Sequence, residues 1–202
     1  MLSLRTALSE TDARAYAAIG TTVAWFESPL RWTRFHGAKS AEVLNGLVTN
    51  DVATLQVSDT LLAAALSPKG KLVCDMTIAR TAEEEFITGV IESAHDAWRL
   101  LLRKYVNPRL SAVTDEAASL ATFALIGVGA AEVATAVEQH GGARSARIPM
   151  TGAGPAYLLV APIDAADAVR QRLDDMRAFS GSPALWNVLR VEAGWPLFGV
   201  DM

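Results

Sequence analysis

The stretch "ALSPKGKLVCDM", Ala65–Met76, decides how the first half of this chain folds. It joins two strand-like runs, "TLLAAAL" and "KLVCDMTIA", through Ser67-Pro68-Lys69-Gly70. Proline presets the backbone of the second turn position, and glycine suits the left-handed exit, so the stretch predicts a β-hairpin. Its Lys-Gly-Lys is not a phosphate loop. Such a loop needs a glycine at position 65 and Ser or Thr at 72, where this chain has Ala65 and Leu72. Side chains alternate along a strand, so Leu72, Cys74, Met76 and Ile78 form one apolar face, and Cys74 is expected in the core. Asp75 lies on the opposite face with Val73 and Thr77. Strand alternation leaves two roles open for it, a solvated acid or an acid facing an internal cavity.

The pattern continues outward from the hairpin. "TDARAYAAI" reads as a helix capped by Thr11, and "RWTRFHG" as a strand ending at Gly37. Ser40 is placed to cap a short helix, and "TNDV", Thr49–Val52, is turn chemistry. "EFITGVI" is a strand. Ser93 then opens a helix with Asp96 three residues on, whose apolar face is Ala94, Trp98, Leu101, Leu102 and Tyr105. From Ser119 the order becomes strand "ATFALIGV", helix to Gly141-Gly142, strand "ARIPM", turn "TGAGPA", strand "YLLVAP" and a helix capped by Asp164. This β-α-β-β-α order predicts a ferredoxin-like subdomain inserted over 117–179. Residues 1–116 with 180–202 then form the other subdomain. Ser182-Pro183 starts a last helix, "ALWNVLRVEAG".

Composition narrows the function classes. Of 202 residues, 51% are hydrophobic and 20% charged, with a net charge of -4, so nothing points to direct nucleic-acid binding. The mixed patch "RWTRFHGAK" is short and reads as a solvated strand face. One cysteine excludes an internal disulfide and an all-cysteine zinc site and fits a cytoplasmic protein. His36, His95 and His140 lack metal-ligand spacing, so no metal is expected. "SLATFALIGVGAA" is too short to span a membrane and reads as a buried strand and turn, so no membrane partner is expected. Gly127-Val128-Gly129 lacks the third glycine of a dinucleotide fingerprint, where the chain has Glu132. Trp25, Trp32 and Trp98 are expected in cores. Glu192 ends an apolar helix, where the helix dipole disfavours a carboxylate; it is either exposed, paired with Arg190, or functional.

Three stretches in order, "GAKSAEVLNGLVTNDV", "LSPKGKLVCDM" and "LRVEAGWPLFGVDM", resemble the folate-binding domain of the glycine cleavage T-protein (aminomethyltransferase) superfamily. The resemblance implies an α+β folate-binding domain of T-protein type, with antiparallel sheets packed with helices. It implies a tetrahydrofolate cofactor or a derivative, with Asp75 facing the reactive nitrogens and Glu192 gripping the pterin edge. Asn50 and Arg190 would be further binding residues. "LLLRKYV" is similar to the YgfZ branch, whose members support iron–sulfur cluster assembly or repair and, through it, tRNA modification. Iron–sulfur proteins are then the expected partners. The branch's Lys-Gly-Cys motif and the usual C-terminal barrel would fall beyond Met202, so the stretch is expected to be a fragment or a short member. Aminomethyltransferases resemble Asp-Asp where this chain has Cys74-Asp75, and Asp-Val-Ser-His where it has Phe26-Glu27-Ser28-Pro29. These departures favour an accessory folate-binding protein, with aminomethyl transfer and a degenerate interaction domain as alternatives. If Asp75 is catalytic, it would position the folate amine.

Overall fold

A computed structural model describes residues 8–150 and 154–201. In chain order the elements are α1 (Glu10–Ala18), β1 (Ala24–Glu27), β2 (Leu30–His36), α2 (Ser40–Asn45), β3 (Thr60–Leu66), β4 (Leu72–Ala82), β5 (Glu85–Ile91), α3 (Glu92–Tyr105) and β6 (Ala112–Asp115). Then follow β7 (Leu120–Ile126), α4 (Ala130–Gly141), β8 (Arg144–Ile148), β9 (Ala156–Pro162), α5 (Ala166–Asp175), β10 (Phe179–Ser180) and α6 (Pro183–Glu192). The fold is α+β, as expected, with largely antiparallel sheets.

The chain divides into two compact units. One holds the described residues up to Ser28 and Ala121–Pro196; the other holds Pro29–Leu120 and the described residues from Leu197 onward. This moves the expected boundaries. The first unit's sheet runs β10-β1-β7-β9-β8. The β7-α4-β8-β9-α5-β10 part follows a ferredoxin-like order, and β1 is inserted between β7 and β10. Strand pairing therefore draws the N-terminal segment into this unit: β1 runs antiparallel to β7 and parallel to β10. No local pattern in the chain signals that long-range pairing. The unit's core is built by Trp25, Phe123, Leu125, Val137, Leu159, Val169 and Leu173. Gly142, with φ of 67°, ends α4 as expected. The expected turn over 151–156 lies partly outside the described residues.

Four expected caps are corrected. Ser9, not Thr11, caps α1: its hydroxyl accepts from the Asp12 amide at 3.1 Å and donates to the Asp12 carboxylate. The Ser9-x-x-Asp12 spacing carried that signal. Ser40 lies inside α2, where its buried hydroxyl bonds that of Ser111 at 2.7 Å, a partner distant in sequence. The third helix starts at Glu92, before Ser93, and Asp96 pairs outward with Arg99. Asp164 sits in a single 3-10 turn before α5 and caps nothing. Tyr105, expected on the apolar face of α3, is exposed, and His95 is buried in its place.

In the second unit the sheet runs β3-β4-β5-β2-β6. The hairpin is where the turn chemistry put it: the Gly70 amide donates to the Ser67 carbonyl, and Gly70 takes φ of 73°. One face carries Cys74, Met76, Ile78, Phe35 and Phe86 against α3, anchored by Trp98, whose indole N–H donates to the Thr88 hydroxyl at 3.0 Å. Cys74 is fully buried, as expected. The other face carries the register row Leu62–Thr77–Gly89–Trp32 beside Ala64–Asp75. Trp32 is buried, and its ring lies where a side chain at Gly89 would stand: a Cβ there would sit 2.7 Å from the indole. Gly89→Ala must therefore displace a core tryptophan. We expect it to destabilise the protein by about 1–3 kcal/mol, read as a lowered denaturant midpoint; an unchanged midpoint would show that Trp32 is free to move. The basic patch resolves into neutralised pairs: Arg31 with Glu92, Arg34 with Glu85 and Glu116, and Lys39 with Glu42.

Candidate functional site

Strand geometry places Asp75 mid-hairpin on β4, opposite Ala64 of β3. It is half-buried, and its carboxylate accepts hydrogen bonds from its own amide and from the Phe198 amide. Burial is the dominant effect and pushes its pKa up despite those bonds. Further N–H donors would favour the ionised carboxylate and oppose the effect of burial. Asp75 is thus neither fully solvated nor fully buried.

The second half of the environment of Asp75 is the C-terminal peptide, which sequence reading did not assign. Leu197–Asp201 closes into a tight turn: the Leu197 amide donates to the Asp201 carboxylate at 2.8 Å, and the Asp201 amide to the Leu197 carbonyl at 3.0 Å. Gly199 takes φ of 76°, which only glycine adopts without cost. The turn presents the Phe198 amide to Asp75, while the Phe198 ring packs on the apolar cluster of the same unit. Gly199 and Asp201 were the available signal.

Asn50 belongs to the same sheet edge. Thr49 pairs with Ala64 in both directions: its amide donates to the Ala64 carbonyl at 2.9 Å, and the Ala64 amide donates to its hydroxyl at 3.0 Å. Ala64 is the register partner of Asp75, so the "TNDV" turn is stitched one strand away from the acid. Asn50 is exposed and accepts from the Thr49 hydroxyl at 2.9 Å, which fixes its side chain. Asn45 and Asp51 close the rest of the turn: the Val52 amide donates to Asn45 Oδ1, and the Ala53 amide to Asp51 Oδ1.

Cys74, on the other face, cannot act as a thiolate at neutral pH. Burial, helped by the neighbouring Asp75 charge, pushes its pKa up to about 12.

Glu192 and Arg190 lie in the first unit, at the C-terminal end of α6. Glu192 is exposed, and both its oxygens accept from the Tyr16 hydroxyl of α1, at 3.1 and 3.0 Å. The partner the structure provides is thus Tyr16, 176 residues away in the chain, rather than the neighbouring Arg190. Arg190 is buried, and it donates to the Trp195 carbonyl at 3.2 Å while its own carbonyl accepts from the Trp195 amide at 2.7 Å. It clasps the turn that ends α6. A T-shaped pair, Trp186 and Trp195, and a tilted pair, Phe26 and Trp186, pack beside that turn. The same unit anchors α6 at its other end through Asp12, whose carboxylate accepts from the Ser182 amide at 2.9 Å and hydroxyl at 2.8 Å.

A separate cleft of about 490 Å³ opens in the second unit between α2, the hairpin turn and the end of α3. None of Asp75, Asn50, Glu192 or Arg190 lines it. Among the described residues, no group of His, Cys, Asp and Glu side chains is arranged to hold a metal ion, and no helix is long and apolar enough to cross a membrane.

The family described as the GCVT N-terminal domain matches residues 5–166. The chain is 29% identical over 174 residues to the tRNA-modifying protein YgfZ of Enterobacter sp. (strain 638), covering 80% of this chain and 51% of the relative. The crystal structure of the glycine cleavage system aminomethyltransferase T from Bartonella henselae superposes with a TM-score of 0.78 at 21% identity, over 91% of this chain and 54% of that one. The chain thus spans about half the length of these relatives.

Proposed function

Because this chain belongs to the family of the GCVT N-terminal domain, we propose that it binds tetrahydrofolate or a derivative as a YgfZ-like accessory protein. The observation that carries this reading is the half-buried carboxylate of Asp75, held by its own amide and that of Phe198, next to a side-chain-fixed asparagine turn. The donor set suits the cofactor: a reduced pterin and its amine nitrogens offer N–H groups, and Asp75 and Glu192 are acceptors. Charge-assisted bonds of this kind are short and strong. When bound, the folate would supply one-carbon chemistry or a redox-sensitive ring; this chain's residues would hold and orient it. Asp75 and Asn50 are the proposed ligand-facing residues of the second unit, and Glu192 is the proposed acceptor for the pterin edge in the first. Arg190 acts through the turn it clasps, as a positioning residue.

The likeness to the tRNA-modifying protein YgfZ supports a role connected with tRNA modification; the proposed route is a cytoplasmic one, through iron–sulfur proteins and the assembly or repair of their clusters. Isothermal calorimetry with a stable reduced folate tests the binding. Wild type should bind, and Glu192→Ala should bind about tenfold more weakly, because the lost carboxylate is an exposed one. No binding by wild type, or equal binding by the variant, would remove Glu192 from the site. A test for one-carbon transfer to the folate decides between the accessory role and aminomethyl transfer: turnover lost in Asp75→Asn would establish the transferase.

A further inference from the structure

The stretch "LRVEAGWPLFGVDM" ends on Gly199-Val200-Asp201, to which the folate reading gives no task. These residues close the Leu197–Asp201 turn from both sides. Asp201 Oδ2 receives the Leu197 amide at 2.8 Å, and the Leu197 carbonyl receives the Asp201 amide at 3.0 Å and the Val200 amide at 3.2 Å. Gly199 supplies the left-handed step, with φ of 76°. A Cβ there would meet nothing within 4 Å beyond its chain neighbours, so glycine serves backbone direction and not room. Phe198 lies inside this closure. Its ring is packed on the apolar cluster of the second unit, and its amide donates to Asp75. The ring fixes where the peptide lies, and the closed turn fixes which way the amide points. An ionised carboxylate has about four acceptor positions, and two amides occupy only part of them, so the plane of the carboxylate is set while acceptor positions remain.

No charged side chain takes over this part. The strand β3, which pairs with β4 at Asp75, carries none. Asp51 of the "TNDV" turn is tied to the Asn45 side-chain amide and the Ala53 amide. Arg80, on the other face of β4, is bound to the Leu55 and Glu83 carbonyls. Lys71 is exposed at the hairpin turn, and Cys74 stays a neutral thiol. The turn's own charge is Asp201. We propose that Asp201 and Gly199 are positioning residues that act through the Phe198 amide to orient Asp75 for a ligand's N–H donors. The proposal rests on the folate reading of Asp75 and adds the element that tunes it.

Two readouts on the intact chain test this, one of them without ligand. Carboxyl NMR of labelled aspartate follows the titration of Asp75 in the free chain, and calorimetry with folinic acid, a stable reduced folate, gives the affinity. Asp201→Ala opens the turn and removes its charge. Asp201→Asn removes the charge but keeps an acceptor for the Leu197 amide, so the difference between the two isolates the turn. Asp75 should titrate at higher pH in Asp201→Ala than in Asp201→Asn, because a donor that favours the ionised form is lost. Folinic acid should bind Asp201→Ala about tenfold more weakly than Asp201→Asn. Gly199→Ala should behave as Asp201→Ala does, and Gly199→Asn as wild type, since asparagine visits the left-handed conformation that alanine resists. A merely structural turn would lower the melting temperature and leave the Asp75 titration in place. The same titration in Asp201→Ala and Asp201→Asn would overturn the proposal, as would equal affinity of that pair when wild type binds. A lower titration in Asp201→Ala would also overturn it, by showing that the turn only covers the acid. Failure of wild type to bind folinic acid would instead remove the folate reading, and the ligand-free titration would then decide the turn's hold on Asp75.

Discussion

Asp75→Asn should bind a reduced folate ten- to a hundredfold more weakly than wild type while unfolding at a higher temperature. Asparagine keeps an acceptor oxygen for the Phe198 amide. It loses the charge and turns an N–H₂ toward ligand donors, and hydrogen bonds to charged groups are worth about 1.5–3 kcal/mol. The stability change has the opposite sign. Burial raises the Asp75 pKa above its ordinary 3.8. The protonated form is therefore the one the fold favours. Its contribution is fully present below the ordinary value and is lost as pH rises through the raised one. At neutral pH the fold favours the ionised acid less than the unfolded chain does, so removing the charge should raise the melting temperature. The difference should vanish near pH 3.

The same shift predicts proton-linked binding. Ligand donors favour the carboxylate, so affinity should increase with pH until the raised pKa is passed and then level off. Calorimetry from acid to neutral pH, with Asp75→Asn as the reference for the ligand's own titration, reads this directly. A wild-type profile parallel to that of the variant would take Asp75 out of the binding site. A variant less stable than wild type at neutral pH would show that the acid is structural.

Asp12→Ala should cost about 2–4 kcal/mol of stability, the largest loss expected from a single polar side chain in the first unit. Asp12 is buried and serves two helix starts at once: it completes the Ser9 cap of α1 and receives the Ser182 amide and hydroxyl at the start of α6. Burial alone would raise its pKa, but the bonds from Ser182 and Ser9 together outweigh that and hold it below the ordinary carboxylate value of 3.8. The stabilisation is therefore present above that value and lost as pH falls through the depressed one. Urea midpoints at neutral pH should separate wild type from variant, and the gap should close in strong acid. A gap independent of pH would mean that lost packing, not the carboxylate, carries the effect. Asp12→Asn should fall between the two, because it retains one acceptor.

Local chemistry made most of the elements legible. The Pro-Lys-Gly turn, the alternation around Cys74, the Gly142 stop and the Ser182-Pro183 start each act within a few residues, and each is where the chain placed it. Cap positions were less secure because several Ser, Thr and Asp residues compete near each helix start. Ser40 shows how such a contest is decided, by a hydroxyl partner 71 residues away. The acids Asp75 and Glu192 were visible as inconsistencies, one on an apolar strand and one at a helix C-terminus.

What the sequence determined by itself is the set of local conformations, the burial of Cys74 and the family motifs. Only the tertiary structure decided which segments share a sheet, because strand pairing joins β1 to β7, about half the chain away, and to β10, about three quarters of it away. It also decided the partners of the two acids, the Phe198 amide for Asp75 and the Tyr16 hydroxyl for Glu192. Those contacts depend on where distant backbone arrives, and a carboxylate's pKa depends on how much water the fold removes around it. Neither quantity is written in the residues beside it.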